Sequence, residues 1–504
     1  MSGNEVTSIR HRHDVFLWAA GMAFILIFSG LMFGLGSMRG WDADSGYTHN
    51  TSETSRERFL PEPFIPEPGV KGRYGPEVTA RWYYWKLPPN EVTVYTRLFV
   101  WICYVLHQVL IWIITFLAQY RQGLQGSNDK YTTTIDKFNY IALALNVGFH
   151  LLHLLQTQTT YDGTAQDTSI ASSQASVIML VIFILLMELK ERGIFFGWPV
   201  VYNTDACSRK LKPNYGPTNL IRRYHGYAFS WAAIYTFWYH PMENTWGHVM
   251  GFALTWMIML QGSLMYTVFH QNKYWRLFVE AFVVIHGTVV AVQTGGPAML
   301  GTSIWPMFTF GFSMVLVLTQ IFLLSFWRKI HFMFRFLPFL IYIGVVVYMY
   351  SWIPDKNGQT WVRMQEIIRI PGVYYLFLFY AWFLLFVFLK IESKMSDDEV
   401  GHNEVGVIKK GAYVTLSVMI YVCFVLISAL IQYYDIQLGL IVLMIILVGI
   451  FKTGVCISMM LLKQVFPKYR PDLKISGERF NFSSSQSANG HDSKDSYKTF
   501  DEKL

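Results

Sequence analysis

Twelve runs of around 20 residues, almost free of charge, recur along this 504-residue chain. A helix rises about 1.5 Å per residue, so each run is long enough to cross roughly 30 Å of hydrocarbon. In lipid every backbone N–H and C=O must be paired, which leaves helices or a closed barrel. Barrel strands are shorter, about 9–11 residues, and alternate in polarity. These runs do neither, so the chain is expected to be all-α, a polytopic integral membrane protein embedded in a lipid bilayer. The expected spans are 15–36, 95–119, 137–157, 170–188, 222–241, 246–268, 276–298, 304–327, 335–353, 372–390, 411–432 and 437–462. Composition agrees: 15% of residues are charged, against about 25% in a soluble chain.

The basic residues orient the spans. With the N-terminus cytoplasmic, the inside segments hold Arg12, Arg121, Lys190, Arg192, Arg222, Arg223, Lys273, Arg276, Arg328 and Lys329 among others. The short outside loops near 158–169, 242–245, 299–303 and 433–436 hold no Lys or Arg. This asymmetry places both termini inside. The loop 37–94 and the segment 354–371, with Lys356, Arg363 and Arg369, depart from it. The net charge of +8 follows from this loop bias, so no nucleic-acid partner is expected. Cys103, Cys423 and Cys456 lie in apolar runs and Cys207 in a basic loop. No disulfide and no zinc spacing follows from that placement. The first run is too long for a cleavable signal core and reads as a retained span.

The organisation is then a cytoplasmic N-terminus (1–14), a first span (15–36) and a Pro- and aromatic-rich extracytoplasmic loop (37–94). A His-rich half (95–298, helices two to seven) is followed by an apolar half (304–462, helices eight to twelve) and a Ser-rich tail (463–504) expected to be disordered. Asn50-Thr51-Ser52 is a glycosylation sequon on the outside. Residues 360–370 mix apolar and charged positions, as a short interfacial helix does. Tyr497-Lys498-Thr499-Phe500 fits a tyrosine-based signal for cytoplasmic sorting machinery, which points to the plasma membrane or a secretory or endosomal membrane.

Eight of the fourteen histidines sit in or at the edges of spans two to seven: His107, His150, His153, His225, His240, His248, His270 and His286. Ionisable side chains are costly in lipid and are expected to face protein, water or a bound group. His240, Glu243 and His248 flank one short outer turn, and His150 and His153 share a helix face at the outer end of span three. Two imidazoles and a carboxylate suit zinc or iron, so these five form a candidate metal set. His107 and His286 lie at mid-depth, where a haem-axial or proton-relay role competes with plain interhelical hydrogen bonding. His225 and His240 are fifteen residues apart on one helix, and His270 and His248 twenty-two apart. A pair of histidines at each membrane face would permit the layout of transmembrane b-type cytochromes. His107, His225, His270 and His286 are therefore candidate haem ligands.

Glu280, about one turn inside span seven, and Lys452, well inside the last span, are candidate proton-handling residues. A partner for Glu280 is expected from Lys452, Lys273, Arg276, His225 or His270. Phosphate-binding Gly loops, GxSxG elbows and Rossmann fingerprints are missing. Three readings follow: a haem- or metal-binding membrane oxidoreductase, a proton-coupled secondary transporter of a small solute or ion, and a non-catalytic membrane scaffold.

Overall fold

The structure is a computed structural model. It describes residues 12–38, 93–125, 131–159, 164, 170–198, 200, 215–240, 242, 244–294 and 304–396. Most of the 37–94 loop with Asn50, the last two expected spans with Lys452, residue Glu243, and the tail with the Tyr497 motif lie outside the described residues.

Ten helices carry the first ten apolar runs: α1 (His13–Met38), α2 (Val94–Gln125), α3 (Lys137–Thr159), α4 (Ile170–Arg192), α5 (Gly216–Tyr239), α6 (Trp246–Ser263), α7 (Lys273–Thr294), α8 (Trp305–Leu318), α9 (Leu337–Tyr350) and α10 (Arg369–Ser396). Among the described residues there is no β-strand, only isolated bridges at Thr132–Thr267 and Phe195–Trp198. Seven described segments are long and apolar enough to cross a membrane: His13–Met38, Val94–Gln122, Lys137–Thr157, Lys273–Val292, Trp305–Leu323, Phe332–Tyr350 and Val362–Phe386.

Polarity is arranged inside out relative to a soluble bundle. Ile27 on α1, Ile102 on α2, Leu340 on α9 and Leu376 on α10 are exposed, while His107, Asn146, Glu188, Arg192 and Glu280 are buried. Water would penalise such a perimeter, whereas hydrocarbon favours it. The buried face of α1 reads Leu17, Gly21, Ile25, Phe28, Met32 and Gly36, the three- and four-residue spacing of one helix stripe. That stripe docks on α6, with Gly21 against Leu260, and Gly36 meets Asn244 just before that helix begins.

Helix α5 is the hub. It packs on α2, α4, α6 and α10, and Ala232, Ala233, Phe237 and Trp238 are fully buried. Protein rather than lipid surrounds it, which is why it tolerates Arg222, Arg223 and His225. One apolar core joins α1, α2, α3, α5 and α6, and a second joins α4, α5, α8 and α10.

Helix α8 ends at Leu318, short of the expected 304–327. A tight turn after α4, with Gly193 at φ +77° and Gly197 at φ +83°, presents Phe196 N–H to Leu318 O at 2.8 Å. Thr319 Oγ1 donates to Ile194 O at 2.7 Å. The first bond satisfies a terminal carbonyl of α8, the second ties Thr319 to the turn, and the chain continues into short 3-10 turns before α9. The 360–370 segment forms a 3-10 turn, Val362–Ile368, that leads directly into α10.

Candidate functional site

At the end of α4, Glu188, Glu191 and Arg192 are spaced i, i+3 and i+4 and share a face. That face meets Arg222 of α5 and Arg276 and Glu280 of α7. Arg192 Nη1 donates to Glu280 Oε2 at 2.7 Å, between side chains 0% and 5% exposed. Arg276 bridges two carboxylates, Glu188 Oε1 at 2.5 Å and Glu191 Oε2 at 2.9 Å. Arg222 closes the group on Glu191 Oε1. Three guanidiniums face three carboxylates, so the cluster is formally neutral. It is not saturated: Glu188 Oε2, Arg192 Nε and Nη2 and Arg276 Nε find no hydrogen-bond partner among the described residues. Buried polar atoms in that state call for water or a polar guest.

Glu280 thus takes Arg192, which the sequence did not offer, as its hydrogen-bonded partner, with the charge of Arg276 also acting on it. Lys452 is outside the described residues. Counting apolar runs misses Arg192 because its charge ends the run at residue 188. The spacing Glu188-x-x-Glu191-Arg192 was the available signal, since one face carrying three charges at a span end needs partners.

The imidazoles are organised by ordinary backbone chemistry. Nδ1–H donates to a carbonyl of the same helix in His225 (Arg222 O, 2.7 Å), His240 (Thr236 O, 2.8 Å) and His150 (Asn146 O). His270 donates from Nδ1 to Gln261 O at 2.8 Å. The packing of α5 on α6 and of the turn that follows it brings these rings together in two pairs. His225 and His270 have ring centroids 5.9 Å apart, and His240 and His248 6.2 Å apart. Thr245 caps α6, its Oγ1 accepting from His248 N–H at 3.3 Å, and the same oxygen lies 2.7 Å from His248 Nδ1.

The two histidines expected at mid-depth do not meet. His107 Nδ1 accepts from Trp238 Nε1–H at 3.1 Å, and indole can only donate, so the ring proton sits on Nε2. Nε2–H donates to Asn146 Oδ1 at 2.9 Å, Asn146 Nδ2–H donates to Ser263 Oγ at 3.1 Å, and Ser263 Oγ–H donates to Met259 O at 3.0 Å. One directional chain ties α5, α2, α3 and α6. Both nitrogens of His107 are used, so it offers no lone pair to a haem iron. His286 packs on α6 instead: its Nε2 lies 2.8 Å from where a Cβ on Gly251 would stand.

The four described members of the expected metal centre do not assemble into one. His153 Nε2–H donates to His240 O at 2.8 Å and its Nδ1 faces the Gln156 amide at 3.0 Å, so both nitrogens are engaged. His150 and His153 instead line an aromatic wall, with Phe237 4.5 Å and 4.7 Å from their ring centres. Among the described residues no three His, Cys, Asp or Glu side chains are arranged to hold a metal ion.

His270 lies in the turn between α6 and α7. Burial first, then the neighbouring His225 ring and Arg276, pull its pKa down to about 3. An unfolded histidine takes up its proton near pH 6.5, so between about pH 6.5 and about pH 3 the unfolded state binds more protons and stability falls with acidification. Lowering the pH from about 7 to about 5 is expected to reduce the Tm of the purified protein, and His270→Asn to flatten that slope. An identical slope in the variant would remove His270 from the explanation.

No family model, no curated protein and no solved structure matches this chain. What its residues and packing establish is an all-helical, multi-pass integral membrane protein with a buried Arg–Glu cluster at one end of its helices.

Proposed function

We propose that this protein is a proton-coupled secondary transporter of a small solute. It has twelve spans, both termini are cytoplasmic, and it works in the plasma membrane or a secretory or endosomal membrane. The observation that carries this reading is the Arg192–Glu280 pair, buried and bridging α4 to α7. Ionisable pairs inside helix bundles mark ion and proton pathways, because their burial is otherwise unfavourable. Protonation of Glu280 removes its charge, releases Arg192 and loosens the α4–α7 contact. That couples proton occupancy to helix position. The unsaturated atoms around Glu188, Arg192 and Arg276 supply polar groups for a solute.

The oxidoreductase reading draws less support. Helices α5 and α6 pack directly on each other, and both nitrogens of His107 are engaged in hydrogen bonds.

The test uses the full chain in proteoliposomes with an imposed pH gradient and a trapped pH dye. Amino acids, sugars, carboxylates and divalent cations are added in turn. One class is expected to accelerate proton flux above leak, and Glu280→Gln to abolish the acceleration. In the double variant Arg192→Met/Glu280→Leu the charges are replaced by apolar groups, so folding is kept and coupling lost. Wild-type coupling in that double variant would overturn the proposal.

A further inference from the structure

We propose that the transported solute is a divalent transition-metal cation, held in passage between Nε2 of His225 and Nε2 of His270. The inference rests on the transporter reading and names its substrate class. Both rings donate Nδ1–H to a backbone carbonyl. This is the arrangement by which proteins fix the tautomer of a metal-ligating histidine and leave Nε2 as the lone-pair nitrogen. Neither Nε2 has a hydrogen-bond partner among the described residues.

The spacing agrees. A metal–nitrogen bond of about 2.0–2.1 Å places each ring centre about 3.2 Å from the ion, so two imidazoles on one ion stand roughly 5–6 Å apart. The observed separation is 5.9 Å.

Imidazole suits zinc, copper, iron and nickel, and not magnesium or calcium. A site with two protein ligands, completed by water, binds weakly. Transport requires that, since an ion must leave as well as enter. The local charges permit it. Arg222 and Arg276 lie close to His225, but each is tied to glutamate, and Glu188 keeps one carboxylate oxygen unpartnered.

The experiment begins with purified full-length protein stripped with a chelator. Addition of Co2+ is expected to produce a ligand-field absorbance that Zn2+ displaces. That measurement needs no variant. His225→Gln and His270→Gln are expected to weaken Zn2+ binding by about tenfold or more, while His331→Gln, at an exposed site, binds as wild type. Absence of the Co2+ signal, or equal Zn2+ binding in both histidine variants, overturns the site. Zn2+ uptake into proteoliposomes then separates the two claims. Histidine-dependent binding with no uptake and no proton flux leaves the site and removes the transporter. Proton flux driven by another solute class, with no Zn2+ bound, leaves the transporter and removes the site.

Discussion

Glu280→Leu and Arg192→Met, made singly, are each expected to destabilise the folded protein by about 3–5 kcal/mol, because each leaves an uncompensated buried charge. Together they are expected to restore wild-type stability or exceed it, by as much as about 1–4 kcal/mol, since the desolvation cost of both charges disappears. Thermal unfolding of the four proteins in one detergent closes the cycle. Additive single effects would mean that the two side chains do not interact. The neighbouring Arg222–Glu191 pair serves as an internal scale. Its side chains are 32% and 25% exposed, and pairs of that kind contribute about 0–1 kcal/mol. The same chemistry at two depths is therefore expected to differ several-fold in effect. The double variant also separates stability from activity, as it folds without a group able to carry the proton.

The second large effect belongs to His107. Leucine there strands Trp238 Nε1–H and Asn146 Oδ1, both on buried residues. Each orphan costs about 1–3 kcal/mol, so His107→Leu is expected to lose about 2–6 kcal/mol. It also loses the stacking of the imidazole on Phe149, whose ring centre is 4.4 Å away. Asn146→Leu in the same background is expected to add less than its separate cost, because one partner is already gone. The absorbance spectrum is expected to be unaltered by either change. A wild-type Tm for His107→Leu, or a visible band that disappears with it, would contradict the hydrogen-bonding role.

Helix positions were legible in the chain because hydrophobic length is a local property. The expected start of α3 at residue 137 coincides with the observed one, and α1 extends the expected 15–36 by two residues at each end. The early end of α8 was not legible. Its cause is a turn more than a hundred residues upstream, where Phe196 captures Leu318 O. The pairing of rings was legible too, since His225 was expected level with His270 and His240 level with His248, and their centroids lie 5.9 Å and 6.2 Å apart.

What no reading of the chain could supply is which atom of each polar side chain remains available once the helices have packed. His107 and His225 are alike in sequence, each an imidazole among apolar and aromatic residues. Trp238 and Asn146, from two other helices, consume both nitrogens of the first. Only Arg222 O occupies the second, on one side. Glu280 likewise demanded a partner, and helix packing chose Arg192 from outside the apolar run. Span length and loop charge are summed over neighbouring residues and survive in one dimension. A hydrogen bond between helices is set by distance and angle across the bundle, so it exists only after the fold does.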